Sequence, residues 1–284
     1  MTIAILSGLF VLIWATGFIV AGIVSGRADP LTFLTLRHAC SIVVFTALSF
    51  AAAAAWPRDW KTWRNAMVAG MLLHGFYIGG VFWAVSQGLG AGLTALVTAL
   101  HPLFTAMLAM PLLHERLAPR QWAGIGVGVV GVGFIVAPKL GGVEGVPIPA
   151  LVVALMATLS LTLGTIWQKR SAPQPDLRVN AAIQFVGALL LTAPFAFALE
   201  AGHFDQSAAL YGALAWAVLG LSVGGISILL VLLKRGAASK VAPLLYLSPP
   251  IAAVMALVIF GEALVPVQVA GMVLAVVGAF AARR

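Results

Sequence analysis

Residues 88–134, GLGAGLTALVTALHPLFTAMLAMPLLHERLAPRQWAGIGVGVVGVGF, hold two apolar runs of about membrane-spanning length, split by a short polar hinge, HERLAP. The pattern returns at residues 235–281. A shift of 147 residues lays His101-Pro102 on Ser248-Pro249, Glu115 on Glu262, Leu117 on Leu264, Pro119 on Pro266, Gln121 on Gln268 and Ala123-Gly124 on Ala270-Gly271. There are 15 identities in 50 aligned positions, without a gap. This is a duplicated helix pair, and the chain reads as two halves that each end in one copy.

Composition names the solvent. With 62% apolar residues, 8% charged residues and only 8 carboxylates in 284 positions, the chain could not cover the surface of a soluble protein. It is expected to be a polytopic all-α membrane protein. The net charge of +8 does not point to nucleic acid, because nearly all of the Lys and Arg lie between apolar runs. A single cysteine, Cys40, excludes a disulfide framework.

Apolar segments of about 20 residues, enough for the ~30 Å hydrocarbon core, fall near 3–25, 31–53, 65–88, 91–113, 119–138, 147–170, 178–200, 210–233, 239–261 and 266–283. Ten transmembrane helices follow, with five in residues 1–138, five in 147–284 and a linker at 139–146. The first segment lacks a basic start and is read as a retained span rather than a cleaved leader. With the amino terminus inside, thirteen basic residues fall in inner loops and the tail, against Arg27 and Lys139 outside. Both termini are therefore expected in the cytoplasm. Five spans is an odd number, so the second half runs upside down relative to the first. Glu115 then caps its helix on the cytoplasmic side and Glu262 on the outside, an inverted repeat.

Two five-helix halves, each closing with a Pro-kinked helix, an E-x-L-x-P-x-Q turn and a Gly-rich last helix, resemble the drug/metabolite transporter superfamily of the EamA type. The turns ERLAPRQWAG and EALVPVQVAG carry the resemblance most specifically, and it covers the whole chain. The Trp14-Ala15-Thr16-Gly17 stretch and the aromatic interior are similar to bacterial amino-acid exporters of the YddG kind. The resemblance implies a bacterial inner-membrane protein with a substrate cavity near the midplane, opened alternately to either side.

Polar and aromatic side chains at mid-depth are costly against lipid and so face protein or water. His74 and Tyr77 are three apart in the third span, on one face. Thr94, Thr98, His101 and Thr105 form a stripe on the fourth. Trp14, Gln184, Ser222, Ser227, Tyr246 and Ser248 add polar or ring groups from other spans. Substrate contact is expected from Trp14, His74, Tyr77, Thr98, His101, Gln184, Tyr246 and Ser248. Trp56, Trp60, Trp63 and Trp122 read as interfacial belt residues, and so do Trp83, Trp167 and Trp216. Arg37 and His38 read as snorkelling from the outer part of the second span. Pro102, Pro249 and Pro250 occupy matching places in the halves and are expected to be hinges of two mirror-image gates.

Two motifs are decoys. Gly126, Gly128 and Gly131 spell G-x-G-x-x-G, but inside an apolar span with no preceding strand, where glycines serve close helix packing. His114-Glu115 is not H-E-x-x-H, since position 118 is Ala. No metal, cofactor or catalytic residue is assigned, and an enzyme or lipid flippase is left without a nucleophile, metal set or acid/base pair. All eight acids sit in loops or at helix ends, which disfavours a pump for cationic drugs, and Lys and Arg are read as missing from the midplane. The expected cargo is a small neutral or zwitterionic metabolite, foremost an amino acid: aromatic, with threonine and methionine as further candidates. Proton-coupled efflux of other uncharged or cationic compounds is the alternative. The expected partners are this solute and the bilayer, and the chain is expected to act as a monomer.

Overall fold

A computed structural model describes residues 3–113, 118–140, 147–171, 175–234, 247–262 and 265–282. Among these the fold is all-helical. The helices are α1 Ile3–Val24, α2 Pro30–Ala51, α3 Trp60–Leu89, α4 Ala91–Thr98, α5 His101–Leu113, α6 Pro119–Leu140, α7 Ile148–Arg170 and α8 Leu177–Leu199. They continue with α9 (Ala208–Ala215, Trp216–Gly224 and Gly225–Lys234 in succession), α10 Ser248–Phe260 and α11 Pro266–Ala282. Six of the described helices, α1, α2, α3, α7, α8 and α9, are long and apolar enough to cross a membrane.

Local chemistry sets the helix starts. The Asp59 carboxylate accepts from Thr62 N at 2.8 Å, so α3 begins at Trp60, five residues before its expected apolar core. Prolines occupy the first turns of α2, α6, α7, α10 and α11, where their missing N–H leaves no helical bond unmade. The expected fourth span is two pieces, α4 and α5, separated at Ala99-Leu100, and Pro102 is the second residue of the new helix. α3 widens to π geometry at Met71–Phe76, and α9 does so at Trp216–Gly224.

Backbone contacts lock the packing. A Cβ on Gly70 would fall 2.5 Å from the Gln184 carbonyl carbon, so α3 and α8 touch main chain to main chain. On α6 and α11, Gly131 and Gly278 do the same: added Cβ atoms would lie 2.6 Å from Gly271 O and Gly124 O. Gly131 is the last glycine of the G-x-G-x-x-G run, and it serves helix contact.

One end of the bundle is tied shut. Asp29 N donates to His203 O at 2.9 Å, His203 N to the Asp29 carboxylate at 2.8 Å, and Asp205 N to Arg27 O at 2.8 Å. Phe33 stacks on Phe82 and Phe204, with centroids 5.8 and 6.5 Å apart. Glu262 does not cap the helix it follows, whose C-terminal dipole would oppose a carboxylate. It accepts instead from Ala91 N and Gly92 N, the start of α4, at 2.8 Å each. Glu115 lies outside the described residues.

Candidate functional site

A cavity of about 650 Å³ lies among the helices, and each of α1 to α11 contributes at least one lining residue. Trp14, His74, Tyr77, Thr98, His101, Gln184 and Ser248 all line it, with Pro102 and Pro249. Pro250 stands in the first turn of α10 and is not on the cavity wall. Tyr246 lies outside the described residues.

The cavity is one-ended. Its lining includes Gln121 at the start of α6, Gln168 at the end of α7, and Leu177 and Asn180 in the first turn of α8. Toward the tied end, the last lining residues are Phe18, Arg37 and Phe82, each more than a helical turn from its helix terminus. The pocket thus leads to the end that carries Lys61, Arg64, Arg120, Lys169, Arg170 and Arg178.

Close packing of α3 on α8 puts His74 against Gln184, with Nε2 3.2 Å from Oε1. The His74 ring stacks on Phe185 at 4.7 Å, and Phe185 in turn stacks on Phe45 at 5.8 Å. Across the cavity, Thr162 Oγ1 lies 3.0 Å from His101 Nδ1 and 3.1 Å from Thr158 O. Thr105 Oγ1 donates to His101 O at 2.8 Å, and the Tyr77 hydroxyl meets the side chain of Thr98. Trp14 stands on the wall near Phe10, with ring centroids 5.8 Å apart. The walls are mainly apolar and aromatic with a few hydrogen-bonding groups, and no carboxylate is among the described lining residues.

The structure corrects several expectations. Arg37 does not snorkel: it is 6% exposed and lines the cavity, so a guanidinium does stand inside an apolar span. His38, fully buried, turns away from the cavity to Thr192, its Nδ1 3.2 Å from Oγ1. Thr94, one turn nearer the tied end than Thr98, is off the wall and donates to Gly90 O at 2.7 Å. Ser222 lines the cavity, whereas Ser227, five residues on, is exposed on another face. Trp167 Nε1 donates to Asn65 O at 3.1 Å and Trp216 Nε1 to Thr16 Oγ1 at 2.8 Å, so both indoles are also bonded within the protein. The residues that sequence reasoning missed are Arg37, Thr165, Gln168 and Asn180. For Arg37 the signal was present: of sixteen basic residues it is the one inside an apolar span, left out of the loop count.

Comparison with known proteins agrees with this architecture. The EamA-like transporter family matches residues 1–137 and again 148–284. A probable amino-acid metabolite efflux pump of Salmonella typhimurium is 28% identical over 286 residues, covering 96% of this chain and 91% of its own. A protein of the same description from Escherichia coli K12 is 27% identical over 97% of this chain and 93% of its own, and the uncharacterized transporter YvbV of Bacillus subtilis is 25% identical over 96% and 88%. One solved crystal structure, 21% identical, shares the fold, with a TM-score of 0.69 over 99% of this chain and 96% of its own. With both halves matched and a cavity enclosed by membrane-type helices, the chain belongs to the EamA-like transporter family, in the drug/metabolite transporter superfamily.

Proposed function

We propose that the chain exports amino acids, aromatic ones foremost and threonine or methionine besides, across the bacterial inner membrane by alternating access, as a monomer with both termini in the cytoplasm. The observation that carries this reading is the cavity itself: 650 Å³, ring-lined, with hydroxyl, amide and imidazole groups and no carboxylate among its described lining residues. Aromatic walls suit an apolar or ring side chain, and the polar groups suit an ammonium and a carboxylate. The names of the Salmonella and Escherichia relatives point to the same cargo.

The basic residues ring the end to which the cavity leads, and by the positive-inside rule that end is cytoplasmic. The described conformation is then inward-facing. Inverted five-helix halves supply the counterpart state. Two of the three described π segments fit this symmetry, since a shift of 147 residues lays Met71–Phe76 inside Trp216–Gly224, whereas the third, Val85–Leu89, falls on no described π segment. A pump for lipophilic cations would lack a buried acid at this site and would meet the Arg37 guanidinium.

Purified protein in proteoliposomes, loaded in turn with radiolabelled phenylalanine, threonine, methionine, a sugar and a quaternary amine, tests the proposal. Protein-dependent flux of the amino acids above that of the sugar and the amine is expected. Flux of the amine alone would replace this reading with cation efflux.

A further inference from the structure

Arg37 sits seven residues, about 10 Å along the axis, beyond the start of α2 at Pro30, and its side chain is 6% exposed. A guanidinium held this way inside a bilayer is costly unless something neutralises it. Among the described residues it makes no ion pair. Among those residues its one hydrogen bond runs from Nη2 to Ser222 Oγ at 3.5 Å, the outer limit of such contacts, and Nε meets no partner among them. Ser222 Oγ already donates to Ala217 O at 3.0 Å across the π turn of α9, so only its lone pairs are turned to Arg37. Five fixed N–H donors are thus met by one long contact. An arginine that merely braced two helices would be forked onto a carboxylate or backbone carbonyls.

We propose that Arg37 is the anion anchor of the cavity. Its guanidinium takes the carboxylate of the transported solute in a forked pair, Ser222 aims it from α9, and the rest of the solute lies against the rings of Trp14 and Tyr77, which line the same cavity. The ligand class is an organic monocarboxylate with an apolar or aromatic body, and an amino acid is the zwitterionic case. The assignment deepens the export reading and rests on it only for the natural solute. The carboxylate preference itself is a property of the cavity.

The test uses purified full-length protein in detergent, with phenylacetate and its neutral isostere phenylacetamide titrated against tryptophan fluorescence or thermal stability. Wild type is expected to bind phenylacetate at least about tenfold more tightly than the amide. In Arg37→Gln the preference collapses to within about twofold, whereas Arg37→Lys retains part of it and Ser222→Ala lowers it less than Arg37→Gln does. Equal affinities in wild type overturn the proposal, and so does a preference undiminished in Arg37→Gln. Should that variant fail to fold, the wild-type comparison and Arg37→Lys still decide. Amino-acid flux in proteoliposomes separates this inference from the export reading. A carboxylate preference without amino-acid transport sinks the reading and leaves the anchor standing, while amino-acid transport undiminished in Arg37→Gln sinks the anchor and leaves the reading.

Discussion

The carboxylate of Glu262 lies 2.8 Å from the backbone nitrogen of Ala91 and 2.8 Å from that of Gly92, so the residue that follows α10 closes the start of α4. Glu200, which follows α8, does the same for α2, accepting from Leu31 N at 2.8 Å and from Thr32 N at 2.7 Å. Each carboxylate satisfies two N–H groups that have no intrahelical partner and sits at the positive end of a helix dipole. Both join an early helix to a late one at the end opposite the cavity mouth.

Glu262→Ala is therefore expected to cost about 1–2 kcal/mol of stability, read as a melting temperature several degrees lower in heating followed by size-exclusion chromatography. Glu262→Gln keeps an acceptor oxygen but not the charge, and should fall between wild type and Ala. A melting temperature unchanged in Glu262→Ala would show the cap to be dispensable.

The histidine contacts bear on energy coupling. His74 meets Gln184 at 3.2 Å and His101 meets Thr162 at 3.0 Å, and neutral imidazoles satisfy both contacts. Arg37 is the charged neighbour whose field reaches His74. Facilitated export down a gradient needs no proton from either ring. Flux into proteoliposomes is expected to vary by less than about twofold between pH 6 and 8, the range in which an unperturbed histidine titrates, and the His74→Gln/His101→Gln double variant should keep the same flat profile. A steep wild-type profile abolished in the double variant would establish histidine coupling instead.

Six of the spans were legible because apolar runs of fixed length are demanded by the bilayer itself, and the described helix ends fall within a few residues of the expected runs except at Trp60, where Asp59 starts α3 early. Depth was legible too, which is why seven of the eight expected contact residues line one cavity and the eighth, Tyr246, is outside the described residues. Helix rotation was not. Arg37 and His38 are neighbours at equal depth, yet about 100° of turn sends one to the cavity and the other to Thr192. Membrane helices that are apolar all round give no amphipathic phase from which to read that angle. Ser222 and Ser227 fail as a pair for the same reason, since five residues carry a side chain about 140° around the axis.

An open route can be checked with single cysteines at Tyr77 and His101 in a Cys40→Ser background, which removes the exposed native thiol. Both positions line the cavity that leads to the basic end of the bundle. A membrane-impermeant thiol reagent applied from the cytoplasmic face of inverted vesicles should label both, and saturating amino acid should slow the labelling. Absence of labelling from either face would leave a filled interior with no path for solute.

Pro102 stands where α5 begins, after the break at Ala99-Leu100, and Pro249 stands in the first turn of α10; both line the cavity. Phe104 N already bonds Leu100 O at 3.0 Å, so the turn beyond the break is formed, and what keeps α4 and α5 apart is the N–H that residue 102 lacks. Alanine at 102 would restore a donor toward Thr98 O and favour one continuous helix. Pro102→Ala should therefore hold or raise thermal stability while slowing flux severalfold, as expected for a hinge that has been stiffened. Pro249→Ala, the counterpart in the second half, should slow it likewise. Single-variant fluxes equal to wild type would mean that the break at Ala99-Leu100 only shapes the wall, and that transport draws any flexibility it needs from elsewhere.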